Sequence, residues 1–193
     1  MQRREVLAGV GSVGVLGGAG MAAIWGLPSS AGDRNASGNP VETNSATPDQ
    51  ITIETVDAPG SEAGELRVPA VDQPTFIDFF GTWCPPCIEQ MPALAAAHER
   101  IGSEVLFLSV TNEAVGSAVT EDELVEWWDK HGGNWLLGLD PTAELTARYL
   151  AGGYPSAVVI SPDGQVQWSD SGVKSTDELI MGIEQALVTG ANA

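Results

Sequence analysis

Cysteine is nearly absent. The 193-residue chain holds two, Cys84 and Cys87, with two residues between them. That scarcity excludes a disulfide-stapled scaffold, which spends several cysteine pairs on a short chain. Histidine is equally scarce, with only His98 and His131, far apart and without paired spacing. Basic charge is thin as well: 8 Lys and Arg stand against 26 Asp and Glu, for a net charge of −18. With Lys130 and Lys174 the only lysines, no basic patch can neutralise phosphates, which excludes a nucleic-acid partner. No internal repeat is visible.

The cysteines sit in Trp83-Cys84-Pro85-Pro86-Cys87, directly after an apolar run over 74–82 that reads as a buried strand. Two thiols at this spacing can close a small disulfide and reopen it by exchange without unfolding anything. Proline suits the first helical turn, so Pro85 and Pro86 can open a helix with Cys84 at its N-terminus. Unpaired N–H groups and the helix dipole favour a thiolate there. Three other uses of the pair stay open behind redox exchange. Zinc needs two more ligands. A purely structural disulfide of this span removes little unfolded-state entropy. Copper(I) suits two thiolates, but no methionine or histidine cluster supports a metallochaperone.

Beyond the pair, further marks stand in order along the chain: Pro92 five residues past Cys87, Gly153-Tyr154-Pro155-Ser156, and the turn Ser161-Pro162-Asp163-Gly164. With Trp135, Asp140, Leu145 and Tyr149 in the long middle section, residues 51–190 resemble the thioredoxin superfamily. Within it they resemble the TlpA/ResA-like exported thiol–disulfide oxidoreductases. Two positions depart from that group, which often has a basic residue just after the second cysteine and a glutamate two positions later. Ile88 and Gln90 stand here instead, and Glu89 between them reads as a surface charge.

The resemblance implies a thioredoxin-like α/β fold, with a central mixed β-sheet flanked by helices on both faces. It implies that Cys84 attacks as an exposed thiolate of lowered pKa and that Cys87 resolves the mixed disulfide. Asp78, six residues before Cys84, matches the buried aspartate that helps deprotonate the second cysteine in thioredoxins. Its apolar neighbours Phe76, Ile77, Phe79 and Phe80 also argue for burial, which raises a carboxyl pKa. Pro155 matches the family's cis-proline, Tyr154 would offer its backbone to a substrate strand, and Trp83 would shield the site. No metal or organic cofactor is implied, because the dithiol carries the electrons. The implied partners are disulfide- or thiol-containing exported proteins and a membrane-bound electron donor, met by a monomer. A thiol peroxidase is the competing enzyme class, although such sites usually place threonine near the reactive cysteine without a Cys-x-x-Cys pair. His98 and His131 are expected to face solvent, Trp128 to join the core, and Trp127 to be partly exposed.

Residues 1–31 read as an export segment. Gln2-Arg3-Arg4-Glu5-Val6-Leu7 resembles a twin-arginine motif, and Val6 to Pro28 carries no charge. Ser29-Ser30-Ala31 suits cleavage, while about 20 apolar residues also suffice for an uncleaved membrane anchor, so both stay open. Residues 32–50 read as a flexible linker. The remaining domain is expected to start with strands at 51–56 and 65–68. A central strand 76–80 then leads to a helix over 85–101, a strand over 104–110 and a helix over 121–131. A short segment at 135–139 and a helix over 142–150 follow, before a hairpin 157–160/165–169 and a last helix over 176–188. The acidity, with abundant Ala, Val and Gly, resembles proteins of halophiles, whose self-repulsion is screened by salt. Steering of basic partners is the other reading of the charge.

Overall fold

The computed structural model describes residues 49–149 and 152–190. The export segment 1–31, the linker up to residue 48 and the expected helix end at Leu150 lie outside the described residues. Among the described residues, no helix is long and apolar enough to cross a membrane.

The N-terminal strands β1 (Ile51–Thr55) and β2 (Gly64–Val68) form an antiparallel pair. Next come β3 (Thr75–Phe80), α1 (Pro85–Ile101), β4 (Leu106–Thr111), α2 (Glu121–Lys130) and β5 (Leu136–Leu139). The chain closes with α3 (Glu144–Tyr149), β6 (Ser156–Ile160), β7 (Val166–Ser171) and α4 (Thr176–Gly190). One sheet of seven strands results, in the order β2-β1-β5-β4-β3-β6-β7. The pairs β3–β4 and β4–β5 are parallel and the rest antiparallel, so the sheet is mixed. Parallel neighbours need long crossovers, and α1 and α2 supply them.

All six residues of β3 are buried because both faces of this strand are covered. The pleat sends Phe76 and Phe80 into one cluster with Leu94 and Ala97 of α1, Leu124 and Trp128 of α2, and Leu179 and Ile183 of α4. Ile77 and Phe79 point the other way, into a cluster with Ile53, Leu108, Val158 and Leu145 of α3. Helices therefore lie on both faces, as expected.

Several boundaries shift by one or two residues from the sequence reading, and two of the shifts have a visible cause. The strand expected from Glu104 begins at Leu106, because Gly102–Glu104 form a single 3₁₀ turn after α1. The helix expected from Thr142 begins at Glu144. Ala143 adopts φ 55°, and the Asp140 carboxylate accepts from Leu145 N (3.2 Å) and Thr146 N (2.7 Å).

Candidate active site

The parallel strands β3 and β4 end on the same edge of the sheet, where α/β folds form their sites. From Phe80 the chain turns tightly, with Cys84 N donating to Gly81 O at 3.1 Å. Gly81 leaves room for the Trp83 ring: a Cβ there would lie 2.8 Å from the Trp83 indole nitrogen. Cys84 caps α1 with extended backbone (φ −97°, ψ 103°), and Pro85 and Pro86 occupy the first helical positions. Cys87 N donates to both Cys84 O (3.0 Å) and Cys84 Sγ (3.2 Å). The two cysteines are joined as a disulfide, with Cα atoms 5.3 Å apart.

Contrary to the expectation of an exposed thiolate, Cys84 is buried. It is 3% exposed and Cys87 1%. The bond to Cys87 and the hydrogen bond at its sulfur draw Cys84 towards the helix N-terminus and into the core cluster. Trp83 is the exposed group at the site, at 64%, with its ring set edge-on to Tyr154 at 5.8 Å. The Tyr154–Pro155 bond is cis, matching the geometry that the resemblance implied, and Val68–Pro69 is cis as well. Burial raises the Tyr154 pKa, and the nearby Asp140 and Glu113 carboxylates add to the rise.

Asp78 shares the face of β3 that carries Phe76 and Phe80, the face on which the cysteines lie. It is 2% exposed. Burial pushes its pKa from 3.8 up to about 7, against the lowering effect of a hydrogen bond from Ser109. Ser109 stands beside Asp78 in the parallel register, and its hydroxyl donates to Asp78 Oδ2 at 3.2 Å. Ser109 Oγ in turn accepts from Trp135 Nε1 at 2.9 Å.

The sequence reading missed Ser109, Glu113 and the role of Gln90. Glu113, just past β4, accepts from Thr82 N (2.6 Å), Thr82 Oγ1 (2.9 Å) and Thr111 Oγ1 (3.3 Å), tying down the loop that leads into Cys84. The departure at Gln90 has a structural reason. Its buried amide accepts from Lys174 N (2.6 Å) and donates to Lys174 O (3.3 Å), fixing α1 to the segment before α4. A glutamate could supply only the acceptor.

The histidines are not simply solvent-facing. His98 is half-buried, with its ring 5.1 Å from Phe107 and 5.6 Å from Trp135, and burial lowers its pKa. His131 lies 4.8 Å from Trp127, and its pKa is lowered by burial and then by Lys130. Trp128 is fully buried and donates to Pro59 O at 3.0 Å, while Trp127 is half-buried and stacks on Phe80 at 5.1 Å. Glu89 is exposed. Among the described residues no group of three or more His, Cys, Asp or Glu could hold a metal ion.

A family model described as Redoxin matches residues 65–187. The sporulation thiol-disulfide oxidoreductase A of Bacillus subtilis (strain 168) is 22% identical over 118 residues, which cover 61% of this chain and 71% of that protein. The thiol-disulfide oxidoreductase ResA of the same organism is 26% identical over 91 residues, 47% of this chain and about half, 49%, of the relative. The crystal structure of StoA from Bacillus subtilis superposes with a TM-score of 0.59 at 20% identity, covering 71% of this chain and 98% of that one. That likeness is one of fold, and the fold is thioredoxin-like. With the family model spanning well over half of its length, the chain belongs to the Redoxin family.

Proposed function

We propose that this protein is an exported thiol–disulfide oxidoreductase of the TlpA/ResA kind, which reduces or exchanges disulfides of extracytoplasmic proteins. The observation that carries the reading is the Cys84–Cys87 disulfide at the N-terminus of α1, with a buried titratable carboxyl on the same face of the sheet. The names of the relatives, thiol-disulfide oxidoreductases, support it.

In the reduced protein, Cys84 is the nucleophile. The Cys87 N–H that points at its sulfur, together with the helix N-terminus, favours the thiolate. Its attack on a partner disulfide forms a mixed disulfide and releases one partner thiolate. Cys87 gives its proton to Asp78 and attacks Cys84 Sγ. The Cys84–Cys87 bond forms, the mixed disulfide breaks, and the second partner sulfur leaves with the electron pair. A carboxyl with a pKa of about 7 both takes and returns a proton near neutral pH. Trp83, Tyr154 and Pro155 form the contact surface for the partner strand. The dithiol is the whole redox carrier, so no metal or organic cofactor takes part. A membrane-bound thiol–disulfide donor restores the reduced state of this monomer, which works at the outer face of the cytoplasmic membrane or beyond it. Residues 1–31 bring it there as a cleaved signal or an anchor.

Replacing Cys87 with Ser in the full chain is expected to accumulate mixed disulfides between Cys84 and exported proteins, separable on non-reducing gels. A variant that exchanges disulfides at the normal rate but never accumulates an adduct would overturn these roles.

A further inference from the structure

Three buried side chains form a hydrogen-bonded chain on the face of the sheet that carries the redox pair. The Trp135 indole donates to Ser109 Oγ at 2.9 Å, and the Ser109 hydroxyl donates to Asp78 Oδ2 at 3.2 Å. None of the three residues is more than 2% exposed. An indole N–H can only donate, and a serine hydroxyl has a single hydrogen. With one Ser109 lone pair taken by Trp135, the hydroxyl hydrogen is directed at Asp78. The chain therefore has one polarity and ends on a carboxylate oxygen. A donor aimed at a carboxylate favours its ionised form, whereas burial favours the acid.

We propose that Ser109 and Trp135 are positioning residues for the proton transfer at Cys87, holding Asp78 in place and keeping it ionised often enough to act as the base. The proposal rests on the thiol-exchange reading and adds to it how the base is held. In the step concerned, the Cys87 S–H proton passes to Asp78 while Cys87 Sγ displaces the partner sulfur from Cys84. The partner leaves as a thiolate with the electron pair, and the proton on Asp78 later passes to water or to that thiolate.

The titratable groups around this face are few. From α1 come the two cysteines and His98, whose ring lies 5.6 Å from that of Trp135. Glu113 stands past the end of β4, held by Thr82 and Thr111, and Tyr154 packs against the same cluster from the segment before β6. β6 places Ala157 opposite Asp78, and α2 and α4 contribute apolar side chains such as Leu124, Trp128, Leu179 and Ile183. Ser109, oriented by the indole, is thus the group that offsets the burial.

The test is the Asp78 carboxyl titration, followed by carbon-13 NMR in the full chain, alongside the pH profile for closing the Cys84–Cys87 bond from a mixed disulfide. Ser109→Ala should move both midpoints up by about one pH unit, a tenfold change in the ionisation constant. Trp135→Phe, which keeps a ring and removes the N–H, should move them the same way by less. Ser109→Thr should restore the original values, and His98→Gln should leave them unchanged. Midpoints that stay put in folded Ser109→Ala, or that follow His98 instead, would overturn the proposal. An unmutated chain that exchanges no disulfide would overturn the thiol-exchange reading itself, a separate result from the carboxyl midpoint.

Discussion

A carboxyl group deprived of water gives up its proton late, and Asp78 shows the effect in a pKa raised from 3.8 to about 7. In the unfolded chain the same group ionises near 3.9. Between these two values the folded state holds the proton and the unfolded state does not, so stability falls as pH rises through this window. Above it, the penalty of ionising the buried group reaches about 4 kcal/mol, from roughly 1.36 kcal/mol per pH unit. Asp78→Asn is therefore expected to stabilise the oxidised protein markedly at about pH 8 and scarcely at about pH 4, as measured by urea unfolding. An equal effect at both pH values would contradict the assignment. The aspartate was legible in the sequence because a lone carboxyl inside an aromatic strand has no water to meet. Ser109 and Trp135 were not legible as its partners. Ser109 lies on β4 and Trp135 just before β5, and only the parallel register sets Ser109 beside Asp78. The burial of Cys84 was missed for a related reason: the spacing says that the pair can bond, not where the bond draws the sulfur.

The limits of α1 were readable because its ends are written in local chemistry, with Pro85 and Pro86 at the start and a turn at Gly102 behind Ile101. The start of α3 was not, because it is set by the side chain of Asp140 acting several residues ahead. The attachment of α1 to the rest of the fold also escapes a local reading: the Gln90 amide meets the Lys174 backbone 84 residues away. Gln90→Glu keeps the acceptor but loses the donor, and it places a carboxylate where a neutral amide was buried. A loss of about 1–3 kcal/mol is expected, seen as a lower urea midpoint at unchanged slope. An unchanged midpoint would show that the tether contributes nothing to stability.

At the scale of the whole molecule, the sequence foretold a mixed sheet with helices on both faces, but not the position of β1 and β2 beside β5 at its far edge. That placement depends on long-range pairing, which local periodicity does not encode. Charge is the other whole-molecule property. An exposed pair such as Arg100–Asp177 at 3.0 Å contributes only about 0–1 kcal/mol against the self-repulsion of a net charge of −18. Self-repulsion remains, and the screening length shrinks from about 10 Å at 0.1 M salt to about 3 Å at 1 M. We propose that the protein is built for a saline setting, so its Tm should climb steadily from low to molar potassium chloride. A Tm indifferent to salt would remove that idea.

The thiol-exchange reading itself is tested most directly by catalysed reduction of a protein disulfide, with dithiothreitol as donor, comparing the full chain with its Cys84→Ser variant. The account predicts that the unmutated chain accelerates the reduction and that Cys84→Ser returns it to the uncatalysed rate. Turnover that survives the loss of Cys84 would contradict it.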